Sequence, residues 1–153
     1  MSANTVTVGP ELIDALSSAY LASGYKKDDV VLSRLRYDPA FCESTFNVRE
    51  AYLPGDGHFH LSMTTATNCI SQTGIIFAGL LNGLSRKCGE VYVLEFNIRF
   101  LRAVCEEEFL ISASMDGARR TAKGTIYRMQ GEVQKGAFNY EVKFLFPLEG
   151  SVL

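Results

Sequence analysis

Between Leu61 and Ser85 the chain carries no charged residue, and soon afterwards its apolar residues change their period. Tyr92, Leu94, Phe96, Ile98 and Phe100 form one alternating row, while Glu95, Asn97 and Arg99 point the other way. A long apolar helix followed by alternating strands restricts the fold severely. A sheet with one apolar face must bury it, and this helix is the only element long enough to cover it. The spacing predicts a helix from about residue 60 to 84, ended by Gly83 and followed by Arg86 and Lys87, whose charges suit a helix C-terminus. At ~1.5 Å per residue it would be roughly 35 Å long. It is long enough on paper to span a bilayer, but its Ser, Thr, Asn and Gln side chains are too polar for lipid. A helix buried in protein is expected instead.

The rest of the chain supplies the sheet. Gly9-Pro10-Glu11 reads as a helix start, with Leu12, Leu16 and Tyr20 recurring every four residues and Gly24 as the stop. A β-prone run covers Val30 to Tyr37. A second strand is expected over Glu43 to Leu53, with Phe46, Val48 and Tyr52 on one face, broken by Pro54-Gly55-Asp56-Gly57. Beyond the Tyr92 row come Phe109, Ile111, Ala113 and Met115, then Thr121 to Val133, then Phe138, Tyr140, Val142, Phe144 and Phe146. Turns at Asp116-Gly117 and Gln134-Lys135-Gly136 imply antiparallel pairing. No repeat, low-complexity tract or linker interrupts the 153 residues, so one domain over 1–153 is expected. The class is α+β, and an antiparallel sheet curved around a long central helix is the hot-dog arrangement.

Charge and cysteines narrow the function. Fifteen basic against 17 acidic residues give a formal charge of −2 with no long run of either sign. Nucleic acid and anionic membranes both demand a concentrated basic surface, so neither is expected as a partner. Cys42, Cys69, Cys88 and Cys105 form no Cys-x-x-Cys pair. The first nine residues lack a basic start and an apolar core, so no secretion signal is expected. Reduced thiols in a cytoplasmic protein follow.

Chemistry is expected at the start of the long helix, where unpartnered amides and the helix dipole favour an oxyanion. The approach reads Tyr52-Leu53-Pro54-Gly55-Asp56-Gly57-His58-Phe59-His60 and contains both histidines of the chain. Glycines let a backbone turn tightly and approach a ligand closely. A lone histidine is usually structural, but two in one glycine-flanked loop point to function. No carboxylate or cysteine stands at a local spacing that suits metal ligation, so no metal is expected. Asn68 and Gln72 share a helix face, with Thr64 and Thr65 about one turn earlier. For Gln72 a structural bond is preferred, whereas Asn68 is a candidate to hold a water or a thioester oxygen. Tyr20 and Tyr52 lie on apolar faces, where tyrosines are mostly core. Arg99, Arg102, Arg119, Arg120 and Lys123 are individually ordinary surface charges, and together candidates for the phosphates of coenzyme A or an acidic carrier protein.

The order Glu11-Leu12, Tyr20, Phe46-x-Val48, Glu50-x-Tyr52, Gly57-His58-Phe59 and Asn68 resembles the FcoT-like acyl thioesterases, hot-dog proteins of mycobacteria and related actinobacteria. The resemblance covers about Glu11 to Gly83. Gly-His-Phe also precedes the helix in hot-dog fatty-acid dehydratases, so it marks the superfamily more than the activity. The resemblance implies hydrolysis of fatty acyl thioesters of coenzyme A or acyl carrier protein, in fatty-acid or secondary-metabolite biosynthesis. In some members it implies addition of glycine across an enoyl thioester before hydrolysis. It maps two functional tyrosines onto Tyr20 and Tyr52, and places His60 where the family has an asparagine.

Many hot-dog thioesterases carry a helix carboxylate, and this helix has none. The expectation is therefore water attack without an enzyme carboxylate, His60 or His58 taking the proton. Tyr52, Tyr20 and Asn68 would orient the reactants, and Gly57, Phe59, Thr64, Gln72, Arg99 and Arg102 would bind substrate. No cofactor is expected. A lyase adding water or an amine such as glycine to an enoyl thioester is the second reading, and a non-catalytic acyl-ligand binder the third. Hot-dog domains pair through their sheets, so a homodimer or a dimer of dimers is expected.

Overall fold

The computed structural model describes residues 7, 10–17, 28–87 and 89–147. Helix α1 spans Pro10–Leu16 and begins at the proline, whose missing N–H costs nothing at a first helical position. Leu12, Ile13 and Leu16 are all exposed. Tyr20 and Gly24 lie outside the described residues.

Strands β1 (Asp29–Tyr37), β2 (Cys42–Glu50), β3 (Tyr92–Phe100), β4 (Glu108–Thr121), β5 (Gly124–Val133) and β6 (Phe138–Pro147) form one antiparallel sheet, in the order β1-β2-β4-β5-β6-β3. Its inner face follows the expected alternation. Phe109, Ile111 and Ala113 of β4 are buried, as are Phe138, Tyr140, Val142, Phe144 and Phe146 of β6. Phe46 and Phe109, paired across β2 and β4, stack with ring centroids 5.7 Å apart.

Helix α2 (Met63–Leu81) covers this face with Ala66, Cys69, Ile70, Thr73, Gly74, Phe77 and Ala78, all buried. Gly74 permits the close approach, since a Cβ there would come within 2.9 Å of the Met129 methyl. Each large side chain buried here, Ile70 and Phe77 among them, contributes about 1.5–3 kcal/mol over its exposed state. Thr73 satisfies its buried hydroxyl on the Cys69 carbonyl (3.0 Å) and Ser44 Oγ (3.1 Å). The opposite helix face, with Thr64, Asn68 and Gln72, is exposed. Among the described residues no helix is long and apolar enough to cross a membrane.

Several expectations are corrected. The helix starts at Met63, not near His60, because Phe59–Leu61 stays extended and Ser62 is the cap (φ −71, ψ 156), its hydroxyl accepting from the Thr65 amide. It ends as expected at Gly83 (φ 67), where Gly83 and Leu84 donate to the Leu80 and Gly79 carbonyls. Strand β2 stops at Glu50, so Tyr52 lies in the following loop. Asp116-Gly117 is an irregularity inside β4, and the reversal falls at Ala122-Lys123, between the paired Thr121 and Gly124. The row Tyr92–Phe100 is broken by a register shift between Val93 and Glu95, which puts Val93 opposite the buried Phe144.

Candidate active site

Two extended segments build the site. In the first, Phe59 and Leu61 are buried and His60 between them points outward, half-exposed. In the second, Val104 is fully buried and its neighbour Cys105 is exposed. Period-two alternation forces this arrangement once the apolar residues enter the core. The Leu61 amide donates to the Val104 carbonyl (2.8 Å), fixing the two segments side by side. His60 and Cys105 therefore meet on the outer surface, with Nδ1 3.6 Å from Sγ.

The Gly-rich loop sets the other end of the imidazole. Asp56 accepts the His58 amide on Oδ1 (3.0 Å), a local turn that an Asp-Gly dipeptide favours. Its Oδ2 lies 2.9 Å from His60 Nε2. Gly57 (φ 75) takes the left-handed conformation the loop needs. The His58 amide and then the His60 ring hold the Asp56 carboxyl below its ordinary range. With Nε2–H donating to this carboxylate, Nδ1 presents its lone pair to Cys105.

Leu53, the loop from Asp56 to His60, Cys105 and Glu107 line a cleft of about 440 Å³. Of the residues named from the sequence, this cleft brings together Gly57, His58, Phe59 and His60. His58 is exposed and bonds Asp56 through its backbone, so His60 is the histidine built into an arrangement. Thr64, Asn68 and Gln72 stand exposed on α2, and Arg99 on β3 opposite Asn139; none of them lines the cleft. Arg102 donates to the Gln134 carbonyl (2.6 Å). Tyr52 is half-buried, its amide on Asp28 Oδ1 (2.9 Å). Tyr20 is outside the described residues.

Two chemical expectations are corrected. A carboxylate does serve the histidine, but from the loop and not from the helix, and a cysteine approaches it from 45 residues away. Sequence spacing reveals the first only through Asp-Gly and gives no sign of the second. The start of α2 is also not the floor of this cleft. Ser62 and Thr65 close it, and the Thr65 hydroxyl donates to Asp28 Oδ2 (2.8 Å), placing one of the chain's own carboxylates there. No group of three or more His, Cys, Asp or Glu among the described residues is arranged to hold a metal ion.

The backbone is similar to several solved structures. A thioesterase from Haemophilus influenzae superposes with a TM-score of 0.52 at 14% identity, over 92% of this chain and 91% of that one. A thioesterase superfamily protein from Shewanella loihica gives 0.51 at 11% identity, over 87% and 96%. A hypothetical thioesterase protein with coenzyme A, from Streptococcus pneumoniae, gives 0.51 at 12% identity, over 76% and 87%. These likenesses establish the hot-dog fold. No protein-family model and no curated protein sequence matches the chain.

Proposed function

We propose that this chain hydrolyses acyl thioesters, of coenzyme A or of an acyl carrier protein, with His60 as general base. The observation that carries the reading is the Asp56–His60 pair (2.9 Å) on the wall of a cleft, in a fold shared with proteins named as thioesterases. Asp56 fixes the tautomer and orientation of the ring. His60 Nδ1 accepts the proton of the attacking nucleophile and returns it to the departing thiolate. The solved relative with coenzyme A supports a coenzyme A thioester as one substrate. The resemblance to FcoT-like enzymes supports fatty acyl groups and a biosynthetic setting.

The same reading includes a homodimer. Strand β3 is an edge of the sheet, and it exposes Tyr92, Val93, Leu94 and Phe100. An open apolar edge is suited to pairing with a second copy, which would extend the sheet. The exposed face of α2 with Thr64, Asn68 and Gln72 then becomes available to a site completed by that copy.

A panel of acyl-CoA substrates, with thiol release followed and products weighed, tests the function. Free acid and free thiol are expected. A product heavier by water or glycine on an enoyl substrate would favour a lyase, and binding without turnover a carrier of acyl ligands.

A further inference from the structure

We infer that Cys105 is the catalytic nucleophile, forming an acyl-cysteine intermediate in a Cys105–His60–Asp56 triad. This rests on the thioester-cleavage reading and goes beyond it by naming the attacking atom. The geometry is a continuous chain: Sγ to Nδ1 at 3.6 Å, then Nε2 to Asp56 Oδ2 at 2.9 Å. A nucleophile, a base within reach of it and a third group orienting the base are what covalent catalysis requires. All three side chains line one cleft. Cys105 is a free thiol and exposed, whereas the free thiols of Cys42 and Cys69 are buried in the core. The placement follows from the fold, because the Leu61–Val104 bond and the buried Val104 side chain aim Cys105 outward beside His60.

The chemistry balances without a further reagent. His60 Nδ1 takes the thiol proton and Sγ attacks the acyl carbonyl carbon, forming a C–S bond. The tetrahedral adduct collapses, breaking the bond to the substrate sulfur, and the leaving thiolate takes the proton from His60. Water then gives a proton to Nδ1 and adds to the acyl carbon. The C–Sγ bond breaks, the acid leaves, and the proton returns to Cys105. The net reaction is thioester plus water to acid plus thiol. An imidazole deprotonates a thiol, ordinarily near pKa ~8.5, far more readily than bulk water at ~15.7. Attack by sulfur is therefore the easier first step.

The test is to mix the full chain with acetyl-, hexanoyl- and palmitoyl-CoA, quench in acid and weigh the intact protein. A single acyl adduct is expected on the peptide containing Cys105, removable by hydroxylamine. Cys105→Ala should lose that adduct and release thiol about 10²-fold more slowly or worse. Because Cys105 is exposed, this variant should keep the wild-type circular dichroism; the adduct on the unaltered chain needs no variant. Turnover by the wild type with no adduct, and equal turnover by Cys105→Ala, would overturn the role of Cys105 while leaving the thioesterase reading intact. Absence of thiol release by the wild type across the panel would instead overturn the functional reading on which this one stands.

Discussion

Asp56 is the residue on which the site turns, because one carboxylate both shapes the loop and sets the histidine. Asp56→Asn should preserve the turn and remove the charge opposite Nε2, lowering thioester turnover by on the order of 10²-fold. Steady-state kinetics against the wild type measures this. The Asp56 carboxyl titrates below its ordinary value of 3.8, chiefly through the His58 amide. Its ionised form therefore holds the loop fully above that value, and the contribution is lost only as pH falls through the lowered one. The bond from the His58 amide to Asp56 should consequently persist as pH is lowered to that value, read as retained protection of this amide from hydrogen exchange. The thiols separate as sharply. Burial pushes Cys42 up to about 11 and Cys69 up to about 12. Iodoacetamide at neutral pH should thus alkylate Cys105 and spare those two, as peptide mass mapping will show. Both histidines were legible in the sequence because Gly57 flanks them. The approach of Cys105 to His60 was not, since it depends on a bond between residues 61 and 104.

At the scale of elements, one close approach and one buried side chain test the packing. Strand β5 lies tight against β4 at Gly131, where an added Cβ would collide with the Ser112 carbonyl oxygen and come within 2.8 Å of the Tyr140 hydroxyl. That hydroxyl donates to the same carbonyl (2.7 Å), so neither neighbour can withdraw freely. Gly131→Ala should destabilise the fold by about 3 kcal/mol or more, read from urea denaturation. On the helix side, Ile70→Ala empties a fully buried position and should cost about 2–5 kcal/mol by the same measurement. The periodicities of 3.6 and two revealed α2 and the strands, because their apolar faces are the core. Boundaries were less legible. Leu61 looks helical in sequence, yet its bond to Val104 and the Ser62 cap hold it outside the helix. Asp116-Gly117 has turn chemistry, but a bulge uses it equally well, and β4 continues through it.

Among the described residues, one six-stranded sheet packs against α2, with β1 and β3 at its two edges. That architecture was legible because a charge-free helix and six strand-like runs admit few packings. The exposed β3 row predicts a homodimer, and light scattering should return the mass of two chains. Leu94→Lys, placed at the exposed edge, should shift that mass toward one chain. A monomeric wild type would contradict a site shared with a second copy, though not the cleft lined by Leu53, residues 56–60, Cys105 and Glu107 of a single chain.

The most direct measurement compares thiol release from an acyl-CoA series by the wild type and by His60→Ala, with both proteins checked for fold. Release of free acid by the wild type, reduced about 10²-fold or more in the variant, is the expected result. Equal rates from the two proteins would contradict a base at His60, and no release from the wild type at any chain length would contradict thioester cleavage altogether.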